Sequence, residues 1–183
     1  MSCCQCQGIQ SLFGERIARH DLKRYRRKGP LETTRILLEA LVEAGVEGAT
    51  LLDIGGGVGA ISNGLLIAGA ARATVVDASP AYLRTAQAEA ERQSHRDRIT
   101  YRSGDFVALA REIAPADVVT LDRVICCYDD MEALVSASAE KAGRLYGVVY
   151  PRDAWWNRLG VSRRSSNATD CGAVSIGRRG SGR

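Results

Sequence analysis

The sequence predicts a doubly wound α/β domain, with helices on both faces of a mainly parallel sheet. Short apolar runs alternate with amphipathic helical patterns over most of the 183 residues, which is typical of parallel strands joined by right-handed crossovers. The first strand, residues 50–54, ends at a cluster of glycines, and several later strands end on an acidic residue. Because ligands of such sheets bind at the carboxyl ends of the strands, we expect the functional site at that edge.

Two helices are predicted before the first strand. Residues 11–28 and residues 31–44 each carry an apolar stripe among charged residues, and a glycine follows each segment. We therefore divide the chain into an N-terminal helical lid or cap, residues 1–45, and a binding core, residues 46–156.

Four further strands and the helices between them continue the alternation. The strands are identified as short apolar runs and the helices as apolar positions spaced three or four residues apart. The predicted strands are residues 73–77, 98–103, 116–121 and 143–150, and the predicted helices are residues 61–68, 80–94, 107–113 and 131–141.

The end of the chain departs from this pattern. Residues 157–183 are basic and rich in Gly, Arg and Ser, and only residues 173–176 could form a strand. Such a composition buries too little apolar surface to offset the entropy of ordering. We predict a disordered tail, a sheet without its closing C-terminal strands and an uncovered edge on the fifth strand. A truncation or a shifted reading frame would explain the change, and a natural basic tail is the alternative.

Composition limits the class of protein and its partners. The net charge is +4 and 45% of the residues are hydrophobic, which suits one globular domain. No run approaches the ~20 apolar residues of a membrane span and no signal peptide is evident, so we expect a cytoplasmic protein. Residues 15–28 and 158–183 are basic, but short basic segments are more often solvated than bound to nucleic acid. Nucleic acid is therefore the less favoured partner.

The six cysteines are predicted to be thiols rather than a disulfide framework. Cys3, Cys4 and Cys6 could hold a soft metal, but they lack a CxxC spacing and a second pair of ligands. We therefore predict no metal site.

The glycine turn carries the main functional signal. Residues 53–59 read Asp-Ile-Gly-Gly-Gly-Val-Gly. Gly55, Gly57 and Gly59 allow unusual backbone conformations and let a ligand approach the main chain, and the next helix presents its first N–H groups there. Ala60 stands where the dinucleotide fingerprint has its third glycine. The segment resembles motif I of the class I (Rossmann-like) S-adenosylmethionine-dependent methyltransferases.

That resemblance implies S-adenosylmethionine as cofactor and roles for residues at the other strand ends. Asp77 would accept from the ribose hydroxyls, although the same acid would serve NAD or cap the next helix. Asp105 would accept from the adenine amino group and Phe106 would line the ring, with a core position as the alternative for Phe106. The implied cofactor residues are Asp53, Gly55, Gly57, Gly59, Asp77, Ala78, Asp105, Phe106 and Asp122.

The implied reaction is in-line transfer of a methyl group to a small-molecule acceptor. A general base is needed only if the acceptor arrives protonated, and the candidate catalytic residues are His20, Tyr25, Arg123 and Tyr128. Arg35 or Tyr25 would meet the methionine carboxylate, unless both are surface residues. Residues 122–125, Asp-Arg-Val-Ile, lack the Asn/Asp-Pro-Pro-aromatic motif of enzymes that methylate nucleic-acid amino groups. The alternatives are a non-catalytic or impaired cofactor-binding module and, third, an NAD-dependent oxidoreductase.

Overall fold

A computed structural model describes residues 14–150 and 173–178 of the chain. Each helix and strand predicted between residues 15 and 150 is confirmed, with bounds that differ by a few residues. The elements are α1 (Glu15–Lys28), α2 (Glu32–Ala44), β1 (Thr50–Ile54), α3 (Ala60–Ile67), β2 (Arg72–Asp77), α4 (Pro80–Arg92), β3 (Ile99–Ser103), α5 (Phe106–Leu109), β4 (Ala116–Asp122), α6 (Met131–Lys141), β5 (Ala142–Tyr150) and β6 (Ala173–Arg178).

The six strands form one sheet in the order β3-β2-β1-β4-β5-β6. The pairs among β1 to β5 are parallel, whereas β6 runs antiparallel to β5. The chain passes from the β3 edge back to β4, beside β1, so the strand order reverses between β1 and β4. The carboxyl ends of these two strands thus form the switch point at which doubly wound sheets bind ligands.

Apolar side chains cover both faces of the sheet, as the sequence predicts. On one face Leu37 and Leu41 of α2 and Leu65 of α3 pack on the strands, and on the other face Phe106 and Leu134 of α5 and α6 do so. Because helices cover both faces of β1 and β4, consecutive residues of these strands are buried, instead of every second one. Within the described residues, no helix is long and apolar enough to cross a membrane.

Strand β6 corrects the prediction that the fifth strand has an uncovered edge. It pairs with β5 from Leu145 opposite Arg178 to Tyr150 opposite Ala173. Val174 and Ile176 pack against the core on the α2 side. The unpaired backbone groups at the edge of β5 favour pairing with another strand. The composition of the whole tail did not predict this strand, because the few apolar residues of 173–178 are outnumbered by Gly, Arg and Ser. One closing strand is therefore present, and the predicted disorder is wrong for residues 173–178; the rest of 157–183 lies outside the described residues.

The packing of β6 predicts a measurable contribution to stability. Ile176→Ser is expected to lower the free energy of unfolding by about 1–2 kcal/mol, because it removes partly buried apolar surface. Ser175→Ala is the matched control, since Ser175 is exposed on the opposite face of the same strand and should change stability by less than ~0.5 kcal/mol. Urea denaturation of the two variants compares them, and equal effects would show that β6 does not stabilise the fold.

Candidate active site

The glycine turn joins β1 to α3 and depends on backbone conformations that only glycine adopts readily. Gly55, Gly57 and Gly59 have φ angles of 67°, 54° and 81°, in the left-handed region that a Cβ disfavours. The N–H of Gly55 donates to the carbonyl of Val76 at 2.7 Å, which fixes the turn against β2. The predicted strand, turn and helix are all present.

Asp77 connects the end of β2 to the glycine turn. Its carboxylate accepts from the N–H of Gly57 at 3.1 Å and from the N–H of Ser79 at 2.8 Å. Burial raises the pKa of Asp77 to about 6, although these backbone hydrogen bonds lower it. The residue that caps α4 is Ser79, whose hydroxyl accepts from the N–H of Tyr82. The alternative that Asp77 is the helix cap is therefore wrong.

Two further carboxylates lie at the ends of β1 and β4. Asp53 is 1% exposed, and one of its oxygens accepts from the Thr120 hydroxyl at 2.8 Å on the neighbouring strand. Burial, followed by the nearby charges of Asp122 and Asp77, raises the pKa of Asp53 to about 7. Asp122 accepts from the Thr34 hydroxyl of α2 at 2.6 Å. In the described part of the chain, the second oxygen of each carboxylate is buried without a hydrogen-bond partner.

A pocket lies between the glycine turn, the end of β4 and the N-terminal helices. The sheet side contributes acidic, basic and glycine residues, and the lid side contributes α1, α2 and the loop between them. Its lining includes Asp53, Gly55, Gly57, Asp122 and Arg123 from the core, and Arg24, Pro30, Leu31 and Thr34 from the lid.

Asp105 and Phe106 follow β3, as predicted, but neither is among the residues that line this pocket. Asp105 caps α5 by accepting from the N–H of Val107 at 3.0 Å, and the same oxygen accepts from the Tyr128 hydroxyl at 2.7 Å. Phe106 is 3% exposed and packs in the core between the sheet and α6. Phe106 is therefore a core residue, which is the alternative considered for it from the sequence.

Among the four candidate catalytic residues, Arg123 alone contributes to the pocket lining. Tyr25 instead lies beside the end of α4, where burial raises its pKa while a hydrogen bond with Gln93 lowers it. His20 is exposed on α1. Tyr128 is directed to Asp105.

These observations agree with the comparison with known proteins. The model of the methyltransferase-domain family matches residues 51–142, half of the chain. The chain belongs to this methyltransferase family. A search of curated proteins found no match.

Solved structures resemble this methyltransferase over most of its length. Magnesium protoporphyrin IX methyltransferase from Synechocystis PCC 6803 with bound S-adenosylmethionine has a TM-score of 0.61 at 21% identity, over 83% of this chain and 79% of that one. The N-methyltransferase NodS from Bradyrhizobium japonicum WM9, in complex with S-adenosylhomocysteine, has a TM-score of 0.59 at 20% identity, over 78% of both chains. A Pyrococcus horikoshii protein assigned as an RNA methyltransferase has a TM-score of 0.59 at 17% identity, over 72% and 66%. At these identities the likeness shows the fold.

The cofactor of this methyltransferase is S-adenosylmethionine, as the motif predicted. The pocket suits it, because the methionine end of the cofactor carries an ammonium and a sulfonium. Asp53 and Asp122 each have a buried oxygen without a hydrogen bond from the described residues, and such oxygens are acceptors suited to these cations. Gly55, Gly56 and Gly57 of the glycine turn line the same pocket.

Two lid residues of the methyltransferase pocket, Arg24 and Thr34, are absent from the sequence-based candidates. Arg35 was a candidate to bind the methionine carboxylate, with a surface position as the alternative. Its side chain is 53% exposed and pairs with Glu39 at 2.7 Å, so Arg35 is a surface residue. Thr34 is 2% exposed and lies on the same helical stripe as Leu37 and Leu41. A polar residue on an otherwise apolar buried stripe is the signal that could have identified it.

A buried acid of the methyltransferase core, Glu89 of α4, binds Arg26 of the N-terminal helix α1. Glu89 of α4 is 0% exposed and accepts hydrogen bonds from Arg26 of α1 at 2.7 Å, from Arg92 at 2.6 Å and from Gln93 at 2.7 Å. Burial raises the pKa of Glu89, but the hydrogen bonds from Arg92, Gln93 and Arg26 outweigh it and lower the pKa to about 2. Glu89 is therefore charged at neutral pH and holds α1 against α4.

This contact predicts a pH-dependent loss of stability. Glu89→Gln is expected to lower the free energy of unfolding at pH 7 by about 1–3 kcal/mol, because it weakens three hydrogen bonds to a buried charge. Since the folded pKa is lowered, the contribution is present above pH ~4.5 and is lost as the pH falls towards about 2. The difference between wild type and variant, followed by urea denaturation, should shrink over that range. Glu91→Gln, on the same helix but 66% exposed, should show neither effect.

Proposed function

We propose that this protein transfers the methyl group of S-adenosylmethionine to a small-molecule acceptor. The observation that supports this most is the pocket that Asp53 and Asp122 line together with the lid residues Arg24 and Thr34, because each carboxylate has a buried oxygen without a hydrogen-bond partner among the described residues. It combines a site for a cationic cofactor with a cover that limits the size of an acceptor.

The residues of the core would hold the cofactor along the strand ends. Asp77 accepts from the ribose hydroxyls, because its oxygens keep acceptor capacity beyond the N–H groups of Gly57 and Ser79. Asp105 accepts from the adenine amino group and Ala78 lines the ring, whereas Phe106 belongs to the core. Asp53 and Asp122 pair with the cations of the methionine end. Arg24 of the lid binds the methionine carboxylate, the role first considered for Arg35 and Tyr25.

The bound cofactor supplies a methyl group that its sulfonium has already activated, so the protein mainly aligns the acceptor and excludes water. Pro30 and Leu31 provide the apolar cover of the pocket. Thr34 holds Asp122 in place by its hydrogen bond. Tyr128 is a less suitable base than the sequence suggested, because its hydroxyl donates to Asp105. An acceptor that arrives deprotonated requires no base.

The experiment measures formation of S-adenosylhomocysteine from isotopically labelled S-adenosylmethionine with small-molecule acceptors and, separately, with total RNA. Label transferred to small molecules supports the proposal, whereas label transferred only to RNA contradicts the acceptor class. Binding of the cofactor without turnover in either reaction would favour the non-catalytic module. Asp122→Asn should reduce turnover by about tenfold or more, whereas the exposed Asp129→Asn should not.

A further inference from the structure

Two arginines line the pocket, Arg24 and Arg123, and the guanidinium group of neither makes a hydrogen bond to a described residue. Arg24 is half-buried and makes no hydrogen bond or ion pair with the described residues. The Nε of Arg123 lies 3.4 Å from Asp122 Oδ1, within ion-pair distance. It is nevertheless buried without a hydrogen bond to any described residue. Both guanidinium groups therefore retain donors for a ligand.

The backbone holds Arg123 in a position that arginine does not favour. Its φ is +60°, in the left-handed region, which costs a non-glycine residue about 1 kcal/mol or more. Its N–H donates to the carbonyl of Val149 on β5 at 3.1 Å, so the main chain is fixed at this point. Its side chain is 38% exposed and starts directly after Asp122.

The charges of the pocket and of the cofactor do not match one to one. The pocket has two carboxylates, Asp53 and Asp122, and two guanidinium groups, Arg24 and Arg123. The methionine end of the cofactor has two cationic groups but one carboxylate. When Asp53 and Asp122 pair with the two cationic groups and Arg24 pairs with the cofactor carboxylate, no anionic group of the cofactor remains for Arg123. The ion pair between Arg123 and Asp122 is also weakened, because Asp122 then pairs with the ammonium of the cofactor.

We infer that Arg123 binds an anionic oxygen group, a carboxylate or a phosphate, on the methyl acceptor. This inference rests on the proposed function and specifies the substrate class of the same site. Guanidinium binds both anions by two parallel hydrogen bonds and fixes their orientation as well as their position. Because Arg123 adjoins Asp122, the anion lies near the methyl end of the cofactor, and the acceptor atom is directed towards it.

The test is anion binding to the protein saturated with S-adenosylhomocysteine. Calorimetry compares benzoate with benzamide and phenyl phosphate with phenol, so that the two anions are distinguished. Wild type should prefer an anion over its neutral counterpart by about tenfold or more. Arg123→Gln should abolish this preference and Arg123→Lys should retain part of it. Arg111→Gln, which changes an exposed arginine outside the pocket, should leave it unchanged.

The outcomes separate this inference from the proposed function. S-adenosylhomocysteine affinity is measured first in each variant and shows that the pocket is folded. Equal affinity for anion and neutral compound, no anion binding at millimolar concentration, or a preference that survives in Arg123→Gln would overturn the role of Arg123. So would loss of the preference in Arg24→Gln alone. Anion binding that depends on Arg123, without methyl transfer to any small molecule in the turnover assay, would instead contradict the proposed function.

Discussion

Asp77→Asn is expected to weaken binding of S-adenosylhomocysteine by about 30-fold or more. The substitution removes a charged acceptor for two ribose hydroxyls. It also places an amide group against the N–H of Gly57 or of Ser79, both of which now donate to the carboxylate. Isothermal titration calorimetry at pH 8, above the pKa of about 6, measures the loss with the wild-type carboxylate ionised.

The matched control for this variant is Asp97→Asn, because Asp97 is exposed in the turn before β3. It should bind S-adenosylhomocysteine as the wild type does. Thermal unfolding of both variants shows whether the fold is kept. Unchanged affinity in a folded Asp77→Asn protein would remove Asp77 from the cofactor site.

Asp53→Asn is expected to affect stability and binding in opposite directions as the pH rises. Because burial raises the pKa of Asp53 to about 7, the stability that its protonated form contributes is present below pH ~4 and is lost as the pH rises through about 7. The asparagine variant lacks this loss. Relative to wild type, its free energy of unfolding without cofactor should therefore increase by about 1–3 kcal/mol between pH 5 and pH 8.

The same variant should bind S-adenosylmethionine about tenfold less tightly at pH 8, because a carboxylate facing the cationic end of the cofactor is lost. Urea denaturation at several pH values and calorimetry measure the two effects. Asp129→Asn, at an exposed acid, should change neither. A parallel pH dependence of stability in Asp53→Asn and wild type would show that Asp53 is already charged in the folded protein.

The parts of the site formed by backbone geometry could be predicted from the sequence. A glycine turn that follows an apolar strand lies at the carboxyl end of that strand. The acid that ends β2 must lie at the same edge, because the strands are parallel. The hydrogen bond from Gly57 to Asp77 follows from that topology. The reversal of strand order brings the end of β4, with Asp122, beside β1.

The orientation of the lid could not be predicted in the same way. The helical stripe in residues 11–28 includes Ile17, which is 44% exposed, whereas the buried residue of α1 is Ala18. Ala18 packs against Ala81 and Tyr82 of α4. Adjacent helical residues differ by about 100° around the axis, so this small residue changes which side chains reach the pocket. Arg24 lies there, whereas Tyr25 lies beside α4.

Strand β6 was hidden for a different reason. Its stability depends on backbone pairing with β5 and on the packing of Val174 and Ile176 against the core. Neither contribution is visible in the composition of residues 157–183, because both depend on a sheet edge formed by residues far away in the sequence.

The central claim is that the pocket beside the glycine turn binds S-adenosylmethionine, and calorimetric titration of the full chain with S-adenosylhomocysteine tests it most directly. We expect one-to-one binding that NAD does not compete for and that Asp77→Asn weakens. Binding of NAD in place of S-adenosylhomocysteine, or binding of S-adenosylhomocysteine that is unchanged in Asp77→Asn, would contradict this account of the site.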